Sequence, residues 1–193
     1  EVLRQPLEDE MVSISRASSS VKFPARFILV AAMNPCPCGF LGDPHHDCHC
    51  TPLQIQRYEN RLSGPLLDRI DLHLDVPAVP MKDLTNLDNG ESSANMKIRV
   101  DQARQRQKER FSSRQRLYCN GQMGPREIKR HCTLGREAQE LLEQAIERLG
   151  LSARAYHRIL KIARTIADLG SQDAIGTEHI AEAVQYRRVD KRE

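Results

Sequence analysis

"FILVAAMNPCPCGFLGDPHHDCHC", residues 27–50, decides how the chain is read. Its first seven residues form a continuous apolar run of strand length, the pattern of a strand buried on both faces of a parallel sheet. Residues 34–50 then hold four cysteines, three histidines and two aspartates. Such a loop directly after a buried strand sets chemistry at a strand's carboxyl end, where open α/β sheets carry ligand-contacting residues.

Cys36 and Cys38 are separated by nine residues from Cys48 and Cys50, giving two C-x-C pairs on one loop. Four thiolates are what structural Zn²⁺ takes, because it accepts soft sulfur ligands without redox change. Gly39, Gly42 and Pro44 let the loop fold back between the pairs. His45, His46 and His49 could each replace a cysteine, and the spacing does not choose among them. No open coordination position is implied, so the expected zinc is structural rather than catalytic. The plainer alternatives are a solvated loop with unpaired thiols, or a disulfide pair.

Upstream, "MVSISRASSSVKFPARF" reads as a hairpin, with Val12 to Arg16 and Val21 to Phe23 flanking the turn Ala17 to Ser20. Downstream, Thr51 is an N-cap and Pro52 a first helical residue for a helix that Gly64-Pro65 breaks. "IDLHLDVP" alternates strictly, with Ile70, Leu72, Leu74 and Val76 on one side, and predicts a strand with one wet face. "TNLDNGESSAN" reads as a loop or linker.

The rest is helical. In "REAQELLEQAIERLG" the residues Ala138, Leu141, Leu142, Ala145, Ile146 and Leu149 follow helical spacing, and Gly150 is a stop. Ser152 caps "ARAYHRILKIARTIADL", with Tyr156, Ile159, Leu160, Ala163, Ile166 and Ala167 inward and Gly170 as its stop. Thr177 is expected to cap a last helix carrying Ile180, Ala183 and Val184. The layout is α/β plus α: an α/β part (1–80) with the Cys-rich loop 36–50, a linker and basic helix (81–120), and a helical domain (121–193).

Composition narrows the function classes. The 193 residues are 39% hydrophobic and 28% charged, enough for a packed core. No apolar run approaches the ~20 residues of a membrane helix, and the polar "EVLRQPLEDE" is no signal peptide. A cytoplasmic protein with reduced thiols is expected. Net charge is only +3, yet eight Lys or Arg face two acids between Lys97 and Arg116. Such a run either faces water, around a thin stripe of Val100, Ala103 and Phe111, or binds phosphate backbones without sequence preference.

Three polar residues have two readings each. Asn34, just past the predicted strand, orients a water or touches a phosphate, or else merely opens an Asn-Pro turn. Arg69 pairs with Asp68 and Asp71, or stabilises charge on a phosphate held by a neighbouring subunit. Arg154 sits in a helix's first turn, where a cation works against the helix dipole, so a bound anion would explain it; the alternative is an ordinary surface arginine.

Taken in order, "FILVAAMNPCPCG", "RLSGPLLDRIDLHLDVP" and "LSARAYHRILKIARTIADL" resemble the Mg-chelatase-like AAA+ ATPases of the ComM/YifB type. They are also similar to the chelatase ATPase subunit and replicative MCM helicases. The resemblance implies a partial AAA+ sheet layer followed by a helical lid. It implies that Asn34 is sensor 1, Arg69 an arginine finger completing the adjacent subunit's site, and Arg154 sensor 2. The hairpin would face a central pore, making Arg16 and Lys22 candidate DNA contacts.

It further implies ATP and Mg²⁺ as cofactors, a homo-hexamer acting on DNA as translocase or branch-migration motor, and no membrane partner. There is no GxxxxGK[ST] and no apolar run ending in Asp-Glu, so the chain is expected to be the C-terminal portion of a larger protein, inactive alone. The middle strand of such a sheet would then be missing, leaving both edges of "FILVAA" unpaired, while residues from about 121 fold by themselves. The alternatives are an ATPase remodelling a protein or metal-chelatase partner, and a zinc-stabilised nucleic-acid-binding module without a motor.

Overall fold

A computed structural model describes residues 2–16, 19–77, 79, 90–113 and 117–187. Ala17 and Ser18 of the predicted hairpin turn, residues 85–89 of the predicted loop 85–95, and Arg114 and Arg116 of the basic run lie outside the described residues. The described residues fall into two compact units, one drawn from residues 1–70 and 75–80, the other from 71–74 and 81–193.

The first unit opens with helix α1 (Arg4–Asp9), stopped by Glu10 at φ 55°. Strands β1 (Met11–Arg16) and β2 (Ser19–Pro24) pair antiparallel from Met11↔Pro24 to Arg16↔Ser19. The predicted hairpin is present, with Ser19 and Ser20, expected in its turn, paired in β2. Opposed residues share a face, so Val12, Ile14, Val21 and Phe23 form an apolar side and Ser13, Ser15, Ser20 and Lys22 a polar one. At the hairpin base the Arg26 Nε lies 2.5 Å from the Glu10 carboxylate.

Two predicted strands are not strands here. Residues 27–33 join no ladder among the described residues, and Ile28 and Val30 are 90% and 87% exposed. "IDLHLDV" is likewise outside any strand, with Leu72, Leu74 and Val76 exposed. A parallel strand needs flanking strands for its N–H and C=O groups and cover for both faces. The hairpin is the only sheet among the described residues, and it supplies neither.

Helix α2 (Pro52–Glu59) is capped by Thr51, whose Oγ1 accepts from Gln54 N while Gln54 Oε1 accepts from Thr51 N at 2.8 Å. It ends at Asn60, before the expected break. Gly64-Pro65 instead starts the short helix α3 (Gly64–Leu67), which Ser63 caps; Pro at a helix start costs no hydrogen bond.

The second unit is helical: α4 (Ser93–Arg110), a 3₁₀ turn (Asn120–Gln122), α5 (Pro125–His131), α6 (Arg136–Leu149), α7 (Ala153–Leu169) and α8 (Thr177–Gln185). Leu142, Ile159, Ala163, Ala167, Ile180 and Ala183 are fully buried, and Phe111, Met123 and Ile128 close the same core. Each large apolar side chain so buried contributes about 1.5–3 kcal/mol. Gly150 stops α6 at φ 58°, and Ser152 caps α7 through Ala155 N. Thr177 is not the cap of α8. Gly176 is, its N–H donating to His179 Nδ1 at 2.8 Å, and Thr177 is the first helical residue.

The basic helix α4 packs into this core. Ala103, Gln107 and Phe111 are buried, whereas Val100, expected in the same stripe, is 48% exposed. The fully buried Asp168 of α7 anchors the helix through Arg110 and also bonds Asn120 and Arg164.

Candidate metal centre and functional site

The loop after residue 33 turns back on itself by local rules. Gly39 and Gly42 take φ 88° and 81°, the left-handed region that side chains disfavour. Between them and the second cysteine pair, Asp43 Oδ1 accepts the N–H groups of His45 and His46 at 2.7 and 3.0 Å, an Asx-type turn. The result brings residues twelve positions apart into contact.

The Sγ atoms of Cys36, Cys38, Cys48 and Cys50 all lie within 4.8 Å of one another. The separations are 3.3 Å for Cys36–Cys38, 3.7 Å for Cys36–Cys48 and 3.6 Å for Cys38–Cys48. A tetrahedron of sulfurs 2.3 Å from zinc has edges of about 3.8 Å. A disulfide needs about 2.05 Å, and all four cysteines are free thiols. The disulfide alternative is therefore excluded in this structure, and the donor set fits a four-sulfur ion. The histidines stand aside: among the described residues none joins the cluster, and His46 faces Asp43 and stacks near Phe40 at 4.9 Å.

Backbone N–H groups point at these sulfurs. The N–H of Phe40, the largest influence, and the neighbouring thiols bring Cys38 down to about 6, while burial pushes Cys50 up to about 12. Burial opposes ionisation of Cys36, but the N–H groups of Leu41 and Gly39 and the Cys48 thiol carry it below the ordinary thiol value. Without metal the four sulfurs share protons; with it they release them, so loading favours higher pH.

Asn34 is exposed at the mouth of this loop, and its amide packs against Gly39: a Cβ built there would stand 3.6 Å from Asn34 Nδ2. Arg69 follows α3, where Nη1 donates to the Pro65 carbonyl at 2.6 Å and Nη2 pairs with Glu8 of α1. Asp71, one of the two acids beside Arg69 in sequence, lies 2.5 Å from Arg158 on α7. Arg154 is exposed in the first turn of α7, one turn ahead of Arg158. Arg16 and Lys22 are exposed on opposite faces of the hairpin. The structure thus joins Asn34 to the cysteine loop and leaves Arg16 and Lys22 apart.

Sequence reasoning missed several partners. Glu8 as the mate of Arg69 and Arg158 as the mate of Asp71 are long-range pairs with no local signal. The basic helix is also less available than its composition suggests. Arg99 pairs with Glu91, Arg106 with Asp173 and the Ser171 carbonyl, and Arg110 with Asp168. One signal was present: Asp168 follows Ala167 and lies four residues after Arg164 on α7, so a buried acid there has a basic partner one turn away.

No helix among the described residues is long and apolar enough to cross a membrane. Compared with known proteins, the chain is 48% identical over 188 residues to "Competence protein ComM" of Haemophilus influenzae, covering 97% of this chain and 36% of that protein. It is 44% identical over 192 residues to "Uncharacterized protein YifB" of Salmonella typhimurium, covering 99% and 37%. It is 34% identical over 192 residues to "Uncharacterized protein Mb2921c" of Mycobacterium bovis, covering 100% and 37%. The chain therefore spans little more than a third of the length of these relatives. A family model described as magnesium chelatase, subunit ChlI, matches residues 1–84, and one described as magnesium chelatase, subunit ChlI C-terminal, matches residues 90–187. The chain belongs to the family described as magnesium chelatase, subunit ChlI C-terminal.

Proposed function

We propose that the chain is the C-terminal portion of an AAA+ ATPase of the ComM/YifB type, contributing sensor 1, arginine finger and sensor 2 to a cytoplasmic, hexameric, ATP-driven DNA translocase or branch-migration motor. The observation that carries this is the pair of family matches, which together run from residue 1 to 187 with a five-residue gap. The relative named as a competence protein favours DNA as the substrate.

In this reading the remainder of the parent holds ATP and Mg²⁺. Asn34 orients the attacking water beside the γ-phosphate. Arg69 leaves Glu8 to stabilise charge on the phosphate of the adjacent subunit, and Arg154 reads the nucleotide from the lid. Arg16 and Lys22 lie on a projecting hairpin suited to phosphate contact, one on each face. The four cysteines hold a structural Zn²⁺, because their sulfurs suit a closed tetrahedral donor set and, among the described residues, no fifth His, Cys, Asp or Glu joins the cluster.

The family description itself favours a second reading, an ATPase that remodels a chelatase or other protein partner. ATP hydrolysis by the full-length parent, measured with and without DNA, separates the two. The motor reading expects clear stimulation by DNA of any sequence. Hydrolysis indifferent to DNA but raised by a protein partner supports the second reading, and DNA binding without hydrolysis a zinc-stabilised nucleic-acid-binding module.

A further inference from the structure

We propose that the cysteine loop is the positioning device for Asn34: closing Cys36, Cys38, Cys48 and Cys50 on one metal ion fixes the backbone at Gly39, and Gly39 fixes the Asn34 amide. The inference rests on the zinc reading given above and adds what the ion is for.

The path is short and made of contacts already described. The Gly39 N–H donates to the carbonyl oxygen of Cys36 at 3.1 Å. Cys36 is the fully buried member of the cluster, so its sulfur has one place to be. Gly39 stands at φ 88°, a conformation open to glycine and closed to most residues. The face of Gly39 where a Cβ would project is covered by Asn34, with Nδ2 at 3.6 Å and Cγ at 3.8 Å from that position.

Residues 27–33, just before Asn34, are largely exposed and join no ladder among the described residues. In the metal-free state thiols 3.3–3.7 Å apart are joined to one another by weak S–H contacts. Four metal–sulfur bonds replace these when the ion binds, and the Gly39 turn becomes rigid.

The test is side-chain amide NMR on the ¹⁵N-labelled 193-residue chain, kept reduced and stripped with a chelator, then titrated with Zn²⁺. Asn34→Ala assigns its amide pair, and metal uptake is read separately by native mass spectrometry. The Asn120 amide, bonded to Asp168 and Thr165 in the second unit, is the internal control. The expected result is a dispersed Asn34 pair that grows to completion at one equivalent of Zn²⁺, while Asn120 does not move. Cys50→Ser should abolish the change. One bound ion with an unmoved Asn34 pair overturns the positioning role and leaves the zinc site standing. Failure to bind any ion overturns both.

Discussion

Arg110 grips Asp168 with both arms, Nη1 to Oδ2 at 2.6 Å and Nη2 to Oδ1 at 2.5 Å, and the carboxylate between them is fully buried. Asn120 donates to the same Oδ2 at 2.8 Å, and Arg164 approaches Oδ1 at 3.3 Å. This joins α4, the 3₁₀ turn and α7 through one acid. Removing the acid would leave two arginines, one of them 3% exposed, without their shared counter-charge. Asp168→Ala should therefore cost the helical unit about 3–5 kcal/mol, the penalty for breaking a buried pair, measured by urea unfolding. A loss under about 1 kcal/mol would show that the network is incidental.

The same carboxylate sets an acid limit. Burial alone would raise its pKa, but the bonds from Arg110 and Asn120 and the charge of Arg164 hold it below the ordinary value. A depressed carboxyl contributes stability that is fully present above its unfolded pKa, about 3.9, and is lost as pH falls through the folded value. The unfolding midpoint of the second unit should thus drop below about pH 4 in the native chain. Asp168→Asn should start lower and lose less over that range. Parallel acid profiles for the two would remove Asp168 as the cause.

Zinc removal should act on the first unit. The purified chain is expected to carry one equivalent of Zn²⁺, released by a chelator together with exposure of four reactive thiols. The core around Leu142 and Ile159 contains none of these ligands, so the second unit's unfolding transition should not shift. A metal-free preparation whose four thiols react at the same rate with or without chelator would contradict the site.

Nucleic-acid binding should be sequence-tolerant and fall steeply with salt. Arg16→Glu and Lys22→Glu should each lower the slope of log K against log salt by about 1. Within α4, reversal at Arg110 tests folding rather than binding, because that side chain is committed to Asp168. Slopes unchanged by both hairpin variants would exclude the hairpin as the contact surface.

How much of this was legible in the sequence depends on how local the cause is. Thr51, Ser152 and Gly150 act within one helical turn, and all three do what their residue types predict. The stripes of α6 and α7 are also local, and Ile159, Leu160 and Ala163 are inside as expected. The cysteine cluster was legible because four thiols on one loop have few other uses, although spacing could not dismiss His45, His46 and His49. "FILVAAM" and "IDLHLDV" misled because a strand is a property of its neighbours, and neither run finds one among the described residues. The Gly64-Pro65 pair misled for another reason: its residues suit a helix start as well as a helix end, and Ser63 decided it. Glu8 with Arg69, and Asp71 with Arg158, required the fold itself.

Under the proposed function, Arg69 completes a neighbour's ATP site. In the full-length parent, Arg69→Ala should cut ATP hydrolysis by ~10³-fold or more while nucleotide binding persists, since what is lost is charge stabilisation in the transition state. Mixing this variant with one disabled in phosphate binding elsewhere in the parent should restore part of the activity, because some interfaces then pair two intact halves. The account predicts that recovery. Normal turnover by Arg69→Ala alone, or no recovery in any mixture, would contradict it.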